Sequence, residues 1–171
     1  MITINYTEQD IYTALRAWLL SVLPTGWEVI QGQENLVPMP IGQFVLMTSN
    51  GYERLATNVD KLDNTGLINS INTQFHYKIQ LDFYGAGSSE YSAVVSSLFR
   101  DIDTPAEFPD YLKPLYADVA MQIPLITAGD NYLERWMVLS HLQFNPTMTK
   151  VVQSANALEA TVIPVDVIYP A

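Results

Sequence analysis

The feature that most constrains the fold is the stretch FHYKIQLDFYG, residues 75–85, in which apolar and polar side chains alternate without interruption. Successive side chains of an extended chain point to opposite faces, so a period of two is typical of a β-strand. One face would carry Phe75, Tyr77, Ile79, Leu81 and Phe83, and the other His76, Lys78, Gln80, Asp82 and Tyr84. We expect a strand that turns its first face to a core and its second face to water or to a partner.

Composition indicates a folded domain that does not bind nucleic acid. The chain has 171 residues, of which 49% are hydrophobic and 15% charged, as in globular proteins. Asp and Glu outnumber Lys and Arg by 18 to 8, and the net charge is −10. Phosphate backbones are bound by clustered Lys and Arg, whereas the basic residues here are scattered singly along the chain.

The sequence also bears on redox chemistry and location. It contains no cysteine, which excludes disulfides and thiolate metal sites. The first ten residues, MITINYTEQD, lack the basic region and apolar run of a signal peptide, and no apolar stretch approaches the roughly 20 residues that span a bilayer. We expect a soluble protein that is made in the cytoplasm and has no membrane contact.

Periodicity and turn residues predict the remaining elements. Thr7 and Asp10 are placed as a capping box for a first helix over 8–23, which Pro24 ends. A second helix is predicted over 89–101, capped by Ser88 or Ser89, with an apolar stripe formed by Tyr91, Val94, Val95, Leu98 and Phe99. Strands are predicted over 27–31, 44–49, 75–84, 117–125 and 133–144, and a hairpin over 149–169. This order indicates a single α+β domain over 1–171, with a mostly antiparallel, twisted sheet covered by two main helices.

The segment of about 50–74, which we call the arm, shows no sustained period. It is rich in Asn and Gly, and its length is uncommon for a connection within a compact domain unless it is functional or mobile. Leu62, Leu67, Ile68 and Ile71 are too apolar for a free linker. We expect an extended, adaptable arm that is mobile in an isolated subunit and becomes ordered against a neighbour.

A glycine-rich turn follows the alternating strand. Gly85-Ala86-Gly87-Ser88-Ser89 joins a strand to a helix, where backbone N–H groups can bind a phosphate. The third glycine of a dinucleotide fingerprint is missing, no Lys follows as in a P-loop, and Glu90 places a negative charge at the site. A tight turn with a serine cap accounts for all of these residues.

The remaining side chains that could take part in catalysis or metal binding are interpreted as structural. His76 and His141 fall within predicted strands, and no GxSxG elbow surrounds Ser140. Asp101 and Asp103 could ligate a cation but lack a third carboxylate at matching spacing. We predict no catalytic, cofactor-binding or metal-binding residue. Arg135 could pair with a neighbouring subunit or with an acid of its own sheet.

Several stretches in order resemble the tail-terminator, or neck-terminator, proteins of tailed bacteriophages. They are DIYTALRAWLLSVLPTGWEVIQG, FVLMTSNGYERLATN, YKIQLDFYG followed by a helix, and YLERWMVLSHLQFNP. The resemblance implies a virion structural protein of the tail or neck, without catalytic residues or cofactors. It implies a homo-oligomeric ring, commonly a hexamer, that caps the head-proximal end of the tail tube, stops its polymerisation and docks to the head or neck.

The partners implied are the chain itself, the tail tube protein and a head-completion, neck or adaptor protein, with DNA passing through unbound. Charges of both signs on the arm and the wet face of the alternating strand are the predicted subunit or tube interface. The predicted residues are Glu53, Arg54, Leu55, Thr57, Asn58, Asp60, Lys61, His76, Lys78, Gln80 and Arg135. Two alternatives remain open: another phage part, such as a head-completion or tube protein, and an enzyme or nucleotide-binding module using Gly85–Ser89.

Overall fold

A computed structural model describes residues 2–32, 39–63, 65, 67–123, 125–126 and 132–153, and it confirms the α+β class. The helices are α1 (Glu8–Val22), α2 (Ser88–Leu98) and the short α3 (Thr104–Glu107). The strands are β1 (Ile2–Ile4), β2 (Glu28–Gln31), β3 (Phe44–Arg54), β4 (Val59–Asp63), β5 (Ile68–Asn72), β6 (Phe75–Tyr84), β7 (Leu112–Ala117), β8 (Met121–Gln122), β9 (Leu125–Ile126), β10 (Tyr132–Leu133), β11 (Arg135–Phe144) and β12 (Thr147–Val151).

The large sheet has the strand order β2-β3-β6-β11-β7, and β8 also pairs with β11. All of its pairs are antiparallel except β2 with β3. Apolar side chains from one face of this sheet form a single buried cluster with side chains of α1 and α2. The alternating strand β6 lies between the long strands β3 and β11, so its apolar face is at the centre of that core.

Helix α1 forms as the sequence predicts. The Asp10 carboxylate accepts hydrogen bonds from the backbone N–H and the hydroxyl of Thr7, at 2.6 and 2.9 Å, which closes the capping box. Side chains at helical spacing, Ile11, Leu15 and Leu19, are fully buried on the sheet. The helix is also tied to β6, because the Tyr77 hydroxyl donates to Glu8 Oε1 at 2.6 Å.

A second, smaller sheet has the order β1-β12-β5-β4, with every pair antiparallel. We call it the small sheet. It includes β4 and β5, so part of the arm, whose sequence shows no sustained period, forms paired strands. The Asn50-Gly51 pair, predicted to end a strand, lies at a shift in register between Ser49 and Tyr52, where Gly51 has a φ of 90°. Such a bulge lets β3 continue to Arg54.

Two further predictions are wrong in detail, and a third lies largely outside the described residues. Val94, assigned to the apolar stripe of the second helix, is exposed, whereas Val95 and Phe99 of that stripe are buried. Two serines that were not predicted to be buried, Ser88 and Ser92, lie on the buried face of α2 as well. The predicted strand over 117–125 is wrong as one continuous element, because β7 ends at Ala117 and only β8 and the first residue of β9 follow as described strand residues in that range. Pro114 is tolerated because β7 lies at the end of the sheet order. The hairpin predicted over 149–169 lies largely outside the described residues, while β12 pairs with β1 and β5.

Candidate subunit interface

The predicted interface residues lie in two places. His76, Lys78, Gln80 and Arg135 lie on the face of the large sheet opposite the helices, which we call the open face. Glu53 is opposite His76 in the register of β3 with β6. Arg54 is the last residue of β3. Leu55, Thr57 and Asn58 lie in the connection between β3 and β4, and Asp60 and Lys61 lie on β4.

One end of the open face is buried, which corrects the expectation that this whole face is wet. Asp82 and Tyr84 point away from the helices as predicted, yet they are only 2% and 4% exposed. Tyr84 stacks on Phe44 with ring centroids 4.6 Å apart. Asp82 is covered because Arg135 lies across it.

The Arg135–Asp82 pair is an internal contact of the subunit. Arg135 donates to Asp82 Oδ1 from Nε at 3.1 Å and from Nη2 at 3.0 Å, and its guanidinium lies 5.7 Å from the centre of the Tyr84 ring. Gln80 donates to the other carboxylate oxygen at 2.8 Å. Of the two roles left open for Arg135, the structure shows pairing with an acid of its own sheet.

The two histidines meet on the open face. His76 Nε2 and His141 Nδ1 are 2.8 Å apart, and His141 Nε2 is 3.5 Å from the carboxylate of Asp118. The Tyr116 ring stacks on His141 with ring centroids 4.1 Å apart, and the Arg100 guanidinium lies over the Tyr116 ring, 5.5 Å from its centroid. Burial lowers the pKa of His141 more than the nearby Asp118 raises it. His141 therefore takes up a proton less readily than a solvated imidazole does, because burial disfavours its charged form.

The middle of the open face carries an exposed ion pair. The Lys78 ammonium contacts the Glu53 carboxylate across β6 and β3. This hydrogen bond lowers the pKa of Glu53. Because Glu53 is 63% exposed, water screens the attraction, and the pair orients side chains more than it stabilises the fold.

The arm residues present both polar and apolar groups. Arg54 donates to the carbonyl of Ala56 at 3.1 Å and also contacts the Asn58 side chain, which holds the connection from β3 to β4 in a compact turn. Around this turn and on the small sheet, large apolar side chains are exposed: Ile2, Ile4, Leu55, Val59, Leu62 and Val151. Exposed apolar side chains gathered on one element mark contact surfaces in many proteins.

The described residues were also compared with what a serine nucleophile, a metal site or a membrane span requires. Ser140 lies on the core face, fully buried, and donates to the carbonyl of Ile79 at 2.7 Å, so it points away from His141. Within the described ranges, no three His, Asp or Glu side chains gather as a metal site. No helix among those residues is long and apolar enough to cross a membrane.

The glycine-rich turn has the geometry of a tight junction. Gly85 and Gly87 have φ values of 91° and 83°, and the Ser88 N–H donates to the Gly85 carbonyl at 3.2 Å. Helix α2 is capped by Gly87 rather than by a serine, which corrects the predicted cap. Sequence reasoning found this turn from its glycines, but it missed the histidine pair, since no local pattern links residues on β6 and β11.

Comparison with known proteins gives one informative result. A family model described as phage neck terminator protein matches residues 9–168. No curated protein matches the chain.

Proposed function

The chain belongs to the phage neck terminator family, and we infer from this membership that it is a structural protein of the phage neck and a component of the virion. The match covers nearly the whole chain and confirms the family predicted from the sequence. The finer role is our proposal. The chain caps the head-proximal end of the tail tube as a closed ring, stops tube polymerisation and provides the surface that docks to the head.

The family match is the observation that carries this proposal, and the charge of the chain supports it. A ring at the neck surrounds the path of the DNA, and a net charge of −10 lets DNA pass without being gripped. The proposed partners are further copies of the chain, with six as the expected number, the tail tube protein, and a head-completion or adaptor protein.

The proposed contacts use the small sheet, the turn from Arg54 to Asn58 and the exposed part of the open face around Lys78. Polar groups of both signs, such as Asp60 and Lys61, would fix the register of neighbouring subunits. Arg135 is left out of this contact set because it is engaged with Asp82. Neither the histidine pair nor Ser140 is given a catalytic role.

Phages that lack this chain provide the direct test. Tails assembled without it should be overlong, or of normal length but not joined to heads, when viewed by electron microscopy. Supplying the wild-type chain from a plasmid should restore tails of normal length joined to heads. Normal tails joined to heads in its absence would contradict the proposal.

Removal of the arm separates folding from assembly. None of the buried apolar residues in the core cluster comes from residues 55–70, so replacing this stretch by a short Gly-Ser bridge should leave a cooperatively folding chain. The same deletion should abolish assembly at the tail end. A second variant carries Lys61→Ser and Leu62→Ser in the intact arm; it keeps the length of the arm but removes two proposed contact side chains, so it should fold normally and assemble less well. If the deleted chain unfolds, the arm belongs to the core; if it still ends tails normally, the contact lies elsewhere, most plausibly on the open face.

A further inference from the structure

The outer strands of the two sheets differ in whether side chains hydrogen-bond to their backbone. At the β2 edge of the large sheet, Arg16 Nε donates to the carbonyl of Val29 at 2.9 Å, and at the β7 edge Arg100 donates to the carbonyl of Ala117 at 2.8 Å. Among the described residues, no comparable hydrogen bond reaches the outer backbone edge of β4 or of β1. Every residue of these two strands is exposed. Among the residues that the structure describes, side chains thus protect the outer edges of the large sheet against further pairing and leave the outer edges of the small sheet unprotected.

Strand directions make the two open edges compatible in a ring. In the order β1-β12-β5-β4 each strand opposes its neighbour, so β4 runs opposite to β1. Rotation about a ring axis preserves the direction of every strand along that axis. When β4 of one subunit meets β1 of the next, the two strands are therefore antiparallel, and the alternation continues across the boundary.

We propose that β4 of each subunit pairs with β1 of the adjacent subunit, so that the small sheets of a ring form one continuous antiparallel ladder. This inference rests on the ring of the proposed function and names the contact that closes it. The contact is heterologous, meaning that two different edges meet, which is the arrangement that closes rings. Its partner is a second copy of this chain.

Side chains favour this pairing over self-pairing of β4. Cross-strand register places Leu62, Asn69, Lys150 and Ile2 in one row on the same face of the small sheet. Joining β4 to β1 extends that row by bringing Leu62 beside an isoleucine, and β1 carries no charge. Antiparallel pairing of β4 with itself about its centre would place Lys61 opposite Lys61, which is unfavourable.

Hydrogen exchange tests the contact without assuming a register. Amide exchange in residues 2–4 and 59–63 is compared between the free chain and the chain assembled on purified tail tubes. We expect slower exchange in both segments after assembly, because half of the amides of each strand point toward the outer edge. Closed rings in which neither segment is protected would overturn this contact and leave the proposed function intact. If no ring forms on tubes, the ring itself is refuted.

Disulfide mapping then gives the partner and the register. The chain has no cysteine, so Leu62→Cys combined with Ile2→Cys or with Ile4→Cys introduces one possible bond. Within a subunit, Leu62 and Ile2 lie at opposite ends of a four-strand row, roughly 14 Å apart, which is too far for a disulfide. Oxidised rings should therefore give covalent oligomers up to the full ring on a non-reducing gel.

Two controls make the result specific. Leu62→Cys with Thr3→Cys uses the same two edges but opposite faces, and it should remain monomeric on the gel. Thr3→Cys alone would give covalent dimers only if β1 pairs with β1 about a two-fold axis. Such dimers, or rings in which neither Leu62 combination forms covalent oligomers, would overturn the proposed pairing.

Discussion

The Arg135–Asp82 pair offers the sharpest test of the fold on the open face. Replacing Arg135 by Met leaves the Asp82 carboxylate, which is 2% exposed, with a single hydrogen bond from Gln80. Removing one partner of a buried ion pair costs about 3–5 kcal/mol, since the remaining charge is desolvated without compensation. Arg135 is itself 22% exposed, so water can reach the vacated position and the lower end applies, about 3 kcal/mol.

Chemical denaturation measures this cost directly, and thermal unfolding should show it as a fall in Tm of roughly 6–12 °C for a chain of this size. The matched control is Lys78→Met, which removes a cation of similar length from the exposed pair with Glu53 and should cost less than about 1 kcal/mol. A second variant, Arg135→Met with Asp82→Leu, removes both charges and should recover most of the loss. If Arg135→Met costs no more than Lys78→Met, or the double variant is no better than the single one, the reasoning is wrong.

Three further predictions concern other sites. Burial lowers the pKa of His141 in the folded chain below its ordinary value of about 6.5, and between these two pKa values the unfolded chain binds more protons than the folded chain. The contribution of His141 to the free energy of unfolding is therefore fully present above about pH 6.5 and is lost as the pH is lowered. Chemical denaturation at pH 7.5 and 5.5 should show this fall. If the free energy of unfolding of His141→Gln falls by as much between these two pH values as that of the wild type, the prediction is wrong. Gly85→Ala should lower the free energy of unfolding by about 1–3 kcal/mol, because φ is 91° and the new Cβ would lie 3.1 Å from the Gly42 carbonyl oxygen; a change under about 0.5 kcal/mol would contradict this. Trp18→Phe should cost about 1.5–3 kcal/mol through loss of the 2.7 Å bond from the indole to Glu107, whereas Glu107→Gln keeps an acceptor and should cost less; equal costs would contradict this.

The elements that were predicted correctly, such as α1 and β6, are determined by residues that lie close together in the chain. Helix α1 follows from the Thr7–Asp10 box, its apolar spacing and Pro24, and each of these acts within a few residues. Strand β6 follows from strict alternation, and its predicted bounds are the observed ones. The Gly85 turn was found because positive φ values favour glycine there.

The features that were not predicted from the sequence, the burial of Asp82 and the small sheet, depend on residues that are far apart in the chain. Asp82 reads as a wet position because alternation places it with His76 and Lys78, and its burial depends on Arg135, 53 positions away. The small sheet was missed for the same reason, since β5 lies between β4 and β12 and gains its neighbours from both sides of the chain. Gly51 also made the end of β3 hard to predict, because a glycine that ends a strand cannot be distinguished in the sequence from a glycine that forms a bulge within a strand.

The buried core and the proposed assembly contact lie on different sheets. The buried apolar cluster draws on the large sheet and its helices, and among the described residues the small sheet contributes none of its buried members. Substitutions on the outer edges of β1 and β4 should therefore change the free energy of unfolding little while acting strongly on assembly, and substitutions in the cluster should do the reverse. Edge strands that are left open are a hazard for a free subunit, because they invite uncontrolled pairing. Antiparallel pairing of β4 with a copy of itself about its centre would place Lys61 opposite Lys61, and the uncharged β1 meets no such repulsion. Under the proposed pairing, β4 meets β1 of the next subunit and not a second β4, so the subunits would close a ring without seeding irregular aggregates.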